Sequence, residues 1–264
     1  MQVDLSGTSA LVTGATRGIG LAVARLLAGN GARVVVSGKS VDSVEQALLE
    51  LRGQLPDALF SGAPGDLTTP EGCSAVAGAA GDVDILVSNA AFYQWKPFFE
   101  LSDEDWQNLI SINLMAGVRL TRRLLPSMLK RNWGRVVFVA SEAGFNIPTD
   151  MIHYGVSKAA EIAAARGLAE LTRGTGVTVN SVLPGPTASS EVDSFLTEHA
   201  KTHGIPPLEA ESHLMNLIRP TSLLQRLAHV DEVAHMILYA CSREASATNG
   251  AALRVEGGVL RHPG

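Results

Sequence analysis

Cysteine is nearly absent from this chain: Cys73 and Cys241 are the only two among 264 residues. They lie far apart and at no metal-type spacing. That sets aside a disulfide framework and a thiolate metal centre, and it leaves two buried or inert thiols in a reducing compartment. No run reaches the roughly 18 apolar residues needed to span a bilayer. Basic residues are not in excess either. Lys and Arg number 21 against 26 Asp and Glu, a net charge of -5, so nothing points to nucleic acid. The opening MQVDLSGTSALVTG carries an acid where a secretory leader would carry a base. Internal repeats, low-complexity tracts and linkers are missing, and no metal-ligand cluster is evident. Hydrophobic residues, by contrast, make up 46% of the chain, ample for a core. These bounds predict a cytoplasmic globular protein with no metal, nucleic-acid or membrane partner.

Short apolar runs alternate with helical patterns along the whole chain. TSALVTG, ARVVVSG, DALFSGAPGD, VDILVSNA, GRVVFVAS, GVTVNSVLPG and AALRVEGG read as seven strands. IGLAVARLLAGNG reads as a helix ending at Gly31. A second runs from Val41 to about Arg52, with Asp42 or Ser43 as cap. One long helical region opens at Ser102, with acids in its first turn, and continues through SINLMAGVRLTRRLLPSMLKR. Another helix starts near Thr149 or Asp150. Strands apolar on both faces, alternating with helices, predict a parallel sheet covered on both sides. Right-handed crossovers then give an α/β, doubly wound, Rossmann-type sheet of about seven strands, one domain over 1–264. The alternation breaks from Pro184 to about Leu227. An insertion there follows the sixth strand, where ligands bind in such sheets, and it reads as a substrate lid. Its apolar members, among them Phe195, Leu208, Leu214 and Met215, line a pocket or pack the lid's own helices.

TGATRGIG joins the first strand to the first helix. Gly14, Gly18 and Gly20 permit a tight turn and close backbone approach to a pyrophosphate, and the helix adds free N–H groups and its positive dipole end. Further along, Tyr154 and Lys158 stand four apart on one helix, and so on one face. Either Tyr154 packs while Lys158 reaches solvent, or the lysine tunes the tyrosine as a proton donor. A free phenol titrates near 10, and a neighbouring cation stabilises the phenolate. His153 adjoins Tyr154 but does not share its face, and so reads as structural. Glu142 follows Ser141 and either shapes substrate choice or faces solvent.

TGATRGIG, SNAA at 88–91, SINLMAG at 111–117, Ser141, YGVSK at 154–158 and PGPT at 184–187 occur in that order. Together they resemble the short-chain dehydrogenase/reductase family in its single-domain branch, such as 3-oxoacyl-carrier-protein reductases, across essentially the whole chain. The resemblance implies that Gly14, Thr16, Arg17, Gly18, Ile19 and Gly20 cradle the cofactor phosphates. Asp66 and Leu67 would meet the adenine, and Asn89 and Ala90 the adenosine. Pro184, Gly185 and Thr187 would face the nicotinamide carboxamide, with Thr187 as donor. Gly38 holds the place where NAD-selective members carry Asp. With Lys39 next to it and Arg17 in the turn, NADP(H) is expected over NAD(H). In the same pattern Ser141 hydrogen-bonds the substrate oxygen and Tyr154 exchanges a proton with it. Lys158 also binds the nicotinamide ribose, and Asn113 holds a relay water.

The resulting expectation is an NADP(H)-dependent oxidoreductase acting on a small ketone or secondary alcohol: a β-ketoacyl thioester, a sugar, a polyketide-like ketone or a xenobiotic carbonyl. The alternative is a catalytically idle NADP(H)-binding regulator or scaffold. Resemblance also suggests a homotetramer, paired through the long helices after the fourth and fifth strands.

Overall fold

The computed structural model describes residues 3–262. Seven strands form one sheet: β1 (Ser9–Val12), β2 (Arg33–Val36), β3 (Phe60–Gly62), β4 (Ile85–Ser88), β5 (Gly134–Val139), β6 (Val177–Pro184) and β7 (Ala252–Val255). All are parallel, in the order β3-β2-β1-β4-β5-β6-β7. The chain winds outward one way to β3, then returns to start β4 beside β1. That reversal is the switch point at which open sheets bind ligands, beyond the strands' carboxyl ends.

Period-two alternation sends successive valines and leucines to opposite faces. Val12, Val34, Val36, Ile85 and Val87 face helices α1 (Gly18–Gly29), α2 (Val41–Gln54) and α9 (Val230–Cys241). Leu11, Val35, Leu86, Val136 and Phe138 face α3 (Pro70–Ala80), α5 (Ala116–Arg131) and α6 (Ile152–Glu170). Both cysteines lie in these layers, and burial pushes the Cys241 thiol up to about 12.

The helices α3 and α9 were not drawn from the sequence. Thr69, accepting from Gly72 N–H, Pro70 in the first turn and Gly81 at the end mark α3, but its Gly- and Ala-rich body has little polar contrast. The α2 cap is Ser40, not Asp42 or Ser43: its hydroxyl accepts from Ser43 N–H. The α6 helix starts at Ile152, two to three residues later than drawn. The long helical region is not continuous. A capping box at Ser102 opens α4 (Asp103–Leu109), and Ile110–Met115 then forms a π-helical segment before α5. Such bulges are frequent at functional sites. The break between β6 and α9 contains α7 (Ser190–His203) and α8 (Ala210–Ile218).

Candidate active site

The turn after β1 is built around its glycines. Gly14 has φ +58, and a Cβ there would lie 2.8 Å from Ala90 Cα. A Cβ on Gly20 would lie 2.3 Å from Gly14 O. Asn89 at the end of β4 braces the turn, its amide donating to Thr13 O and Gly14 O, both at 3.0 Å. Thr13 Oγ1 accepts in return from the N–H groups of Asn89 and Ala90. Gly18 differs: at φ +55, its missing Cβ would point into open space. Arg17 caps α1 without a side-chain cap bond, which leaves N–H groups of the first turn for an incoming anion. A glycine turn with open space beside Gly18 at a helix N-terminus fits the phosphates of a dinucleotide.

The sheet order brings the segments after β2 and β3 together. Gly65 N–H donates to Gly38 O at 2.9 Å. A Cβ on Gly38 would lie 2.4 Å from Thr16 Cγ2, so a carboxylate side chain enters there only if Thr16 moves. Exposed Lys39 lies 3.4 Å from Asp66. Hydrogen bonds from the Thr68 hydroxyl and N–H, with Lys39 adding its charge, hold the Asp66 carboxyl below the usual range. Leu67 beside it is buried and packs in the core.

Beyond β5, two glycines set a close contact. A Cβ on Gly144 would lie 2.9 Å from Ala159 N and 3.0 Å from Lys158 C. A Cβ on Gly155 would lie 2.9 Å from Ala143 O. Their absence lets the loop that begins at Ser141 lie directly on the first turns of α6, where Tyr154 and Lys158 stand. Ser141 Oγ accepts from Ala143 N–H at 3.1 Å, so its own proton stays available to a ligand. Lys158 does not reach solvent. It is 1% exposed, donates to Val139 O at 3.0 Å and lies 5.7 Å from the Tyr154 ring centroid.

The sequence did not reveal the partner of Lys158. Glu161, one turn on and equally buried, lies 2.6 Å from its ammonium. Burial pushes Glu161 up to about 7 against the pull of Lys158. Burial disfavours the Lys158 charge, but Glu161 and Tyr154 outweigh it and hold the ammonium above its ordinary value. Tyr93, also unforeseen, meets the Tyr154 ring edge-on at 6.3 Å. Asn113 lies in the π-helical segment, fully buried. It accepts from Phe92 N–H and donates to Phe92 O and Ser157 Oγ, tying the 92 loop to α6.

His153 is fully buried against Trp106, with neither ring nitrogen bonded among the described residues, and burial lowers its pKa. Glu142 does not face solvent. It is 2% exposed, and its Oε1 accepts from Arg219 Nε at 2.7 Å. Burial raises the Glu142 carboxyl while Arg219 opposes the rise. This pair joins the Ser141 loop to the end of α8. Pro184 ends β6, and Gly185 packs so tightly that a Cβ would lie 2.8 Å from Glu256 O. The Thr187 hydroxyl donates to Gly185 O at 2.9 Å and must turn to serve a ligand. In the insertion Leu214 and Met215 are buried and Leu208 is exposed. The sequence analysis drew no ligand cluster, although His199 and His203 stand at i, i+4; the fold adds His213 to them.

A cleft of about 610 Å³ lined by Gly7, Arg33, Leu55 and Asp57 opens near the amino ends of β1 and β2. It lies away from the strands' carboxyl ends and away from these groups. Among the described residues no helix is long and apolar enough to cross a membrane. The sequence pattern of the short chain dehydrogenases matches residues 8–200. "Uncharacterized oxidoreductase YvaG" of Bacillus subtilis (strain 168) is 42% identical over 261 residues, 99% of each chain. L-sorbose reductase from Gluconobacter frateurii, solved with NADPH and L-sorbose, superposes with a TM-score of 0.92 at 30% identity, covering 99% of this chain and all of that one. A 3-oxoacyl (acyl-carrier-protein) reductase from Agrobacterium tumefaciens C58 with NADP bound superposes at 0.86 with 26% identity, covering 97% of this chain and 95% of its own. With its parallel sheet, glycine turn and paired Tyr154 and Lys158, the chain is an oxidoreductase that belongs to the short-chain dehydrogenase/reductase family.

Proposed function

We propose that the chain transfers hydride between NADP(H) and a ketone or secondary alcohol, as one dinucleotide-binding domain whose 184–227 insertion covers the substrate. Bound NADPH would supply the hydride to the carbonyl carbon. Gly14 to Gly20 hold the phosphates; Lys39 and Arg17 take the 2′-phosphate, with Gly38 in place of an acid at the end of β2. Asp66, Asn89 and Ala90 border the adenosine, and Thr187 the nicotinamide. Ser141 Oγ and the Tyr154 hydroxyl donate hydrogen bonds where charge develops on the substrate oxygen. Tyr154 gives that oxygen its proton. The Lys158 ammonium stabilises the phenolate left behind and holds the ribose with the N–H not committed to Val139 or Glu161. Asn113 holds the water that returns a proton.

One observation carries the reading: a buried, charged Lys158 under Tyr154, with the Ser141 loop pressed onto the same turn through Gly144 and Gly155. NADPH or NADP in the solved relatives supports the cofactor. L-sorbose in the solved complex of one relative favours a polyhydroxy ketone over an acyl thioester. We place the enzyme in the cytoplasm as a homotetramer; a light-scattering mass of one chain would remove that assembly. The main test is NADPH consumption against ketoses, β-ketoacyl thioesters and simple ketones, with NADH in parallel. Turnover on at least one, faster with NADPH, is expected. Tight NADPH binding without turnover on any ketone or alcohol would favour the idle regulator.

A further inference from the structure

The chain has seven histidines, and the fold brings three of them together on the insertion. His199 and His203 are one turn apart in α7, on one face. Gly204 ends α7 at φ +62, and Pro206 and Pro207 follow, so the chain turns back into α8 with His213 facing the pair. One nitrogen of each ring lies within 4.8 Å of one nitrogen of each other ring. It is the one such group of ligand-type side chains among the described residues.

The ring orientations carry more than proximity. His203 Nδ1 lies 2.9 Å from His199 O. A carbonyl only accepts, so Nδ1 carries the proton and Nε2 keeps its lone pair. Metal-binding histidines are commonly oriented in this way. His199 Nε2 and His213 Nδ1 lie 2.9 Å apart and share one proton. Two tetrahedral zinc–nitrogen bonds hold their nitrogens about 3.3 Å apart, so an ion opens this pair by about 0.4 Å and draws the His203 nitrogen inward. The shared proton then leaves to solvent or to the far nitrogen of its ring. His199 is buried while His203 is exposed, which gives the group a fixed wall and an entrance.

We propose that His199, His203 and His213 form a binding site for one divalent transition metal ion, typified by Zn²⁺, which clamps α7 to α8 in the insertion. Three neutral imidazoles suit this class of ion and leave one position for water. The ion takes no part in the hydride reaction, and the assignment does not depend on it.

The test uses the full-length protein freed of metal with a chelator and titrated with Zn²⁺ alone. Binding of one ion per chain is expected, measured by calorimetry or competition with a chromophoric chelator. Co²⁺ should give the visible bands of a four- or five-coordinate site. Outer-shell losses already weaken metal sites roughly 10- to 100-fold, so His203→Ala and His213→Gln should each weaken Zn²⁺ binding at least that much. His203 is exposed, and its variant keeps the fold. His235→Ala should bind Zn²⁺ as wild type does. No saturable one-to-one binding, or equal affinity in His203→Ala and wild type, would overturn the assignment.

Discussion

Arg219→Ala tests how the insertion is held to the site. Arg219 Nε donates to Glu142 Oε1 at 2.7 Å, and the other Glu142 oxygen has no hydrogen-bond partner among the described residues. The Glu142 side chain is 3% exposed and that of Arg219 13%. Truncation therefore leaves a carboxylate in the interior with no opposite charge against it. Breaking a buried pair in this way costs about 3–5 kcal/mol, and the partial exposure of Arg219 selects the low end, about 3 kcal/mol. For a chain of this length that lowers Tm by about 5 °C. The pH dependence has a definite sign. Burial already raises the Glu142 carboxyl above 4.5, and loss of Arg219 removes the opposing influence. A group raised in the folded state adds stability below its unfolded pKa and loses it as pH rises through the folded one. The deficit should thus be small near about pH 4 and larger at about pH 8. Glu142→Gln in the same chain removes the stranded charge and should restore most of the loss. Thermal unfolding followed by circular dichroism at both pH values reads all of this. A single variant within about 1 °C of wild type at the higher pH, or a double variant as unstable as the single, would refute the reasoning.

Tyr154→Phe should keep its Tm and its NADPH affinity, because the hydroxyl makes no hydrogen bond to another described residue and the Tyr93 contact needs only the ring. Turnover should fall about 10²–10⁴-fold, as loss of a proton donor requires, and near-normal turnover would end the assignment. Lys39→Asp puts an acid at an exposed position beside Gly38, so the ratio of NADPH to NADH efficiency should drop at least about tenfold; an unchanged ratio would sink the role of Lys39. Gly18→Ala pays only the left-handed backbone strain of about 1–2 kcal/mol and should fold, but its methyl enters the phosphate cradle and should abolish tight NADPH binding measured by fluorescence; ordinary affinity would show that the cradle lies elsewhere.

The sequence by itself determined the sheet and where its chemistry gathers. Valine-rich runs such as VVV at 34–36 are apolar on both faces, and only a covered parallel sheet buries both. TGATRGIG and YGVSK are local: a glycine turn and an i, i+4 pair carry their geometry within a few residues. What spacing could not show are contacts between segments far apart in the chain. Glu142 meets Arg219 across 77 positions, and His213 meets His199 only because Gly204 reverses the chain. The depth at which Lys158 is buried depends on Gly144 and Gly155, whose missing Cβ atoms matter only once loop and helix touch. Glu161 lies three residues from Lys158, and its spacing was in plain view. That both are buried, so that desolvation raises the carboxyl to about 7 against the pull of Lys158, was decided by the layers packed around α6. Local periodicity fixes which face a side chain shares with its neighbours; only the tertiary structure decides what that face is pressed against, and so how strong each charge in it becomes.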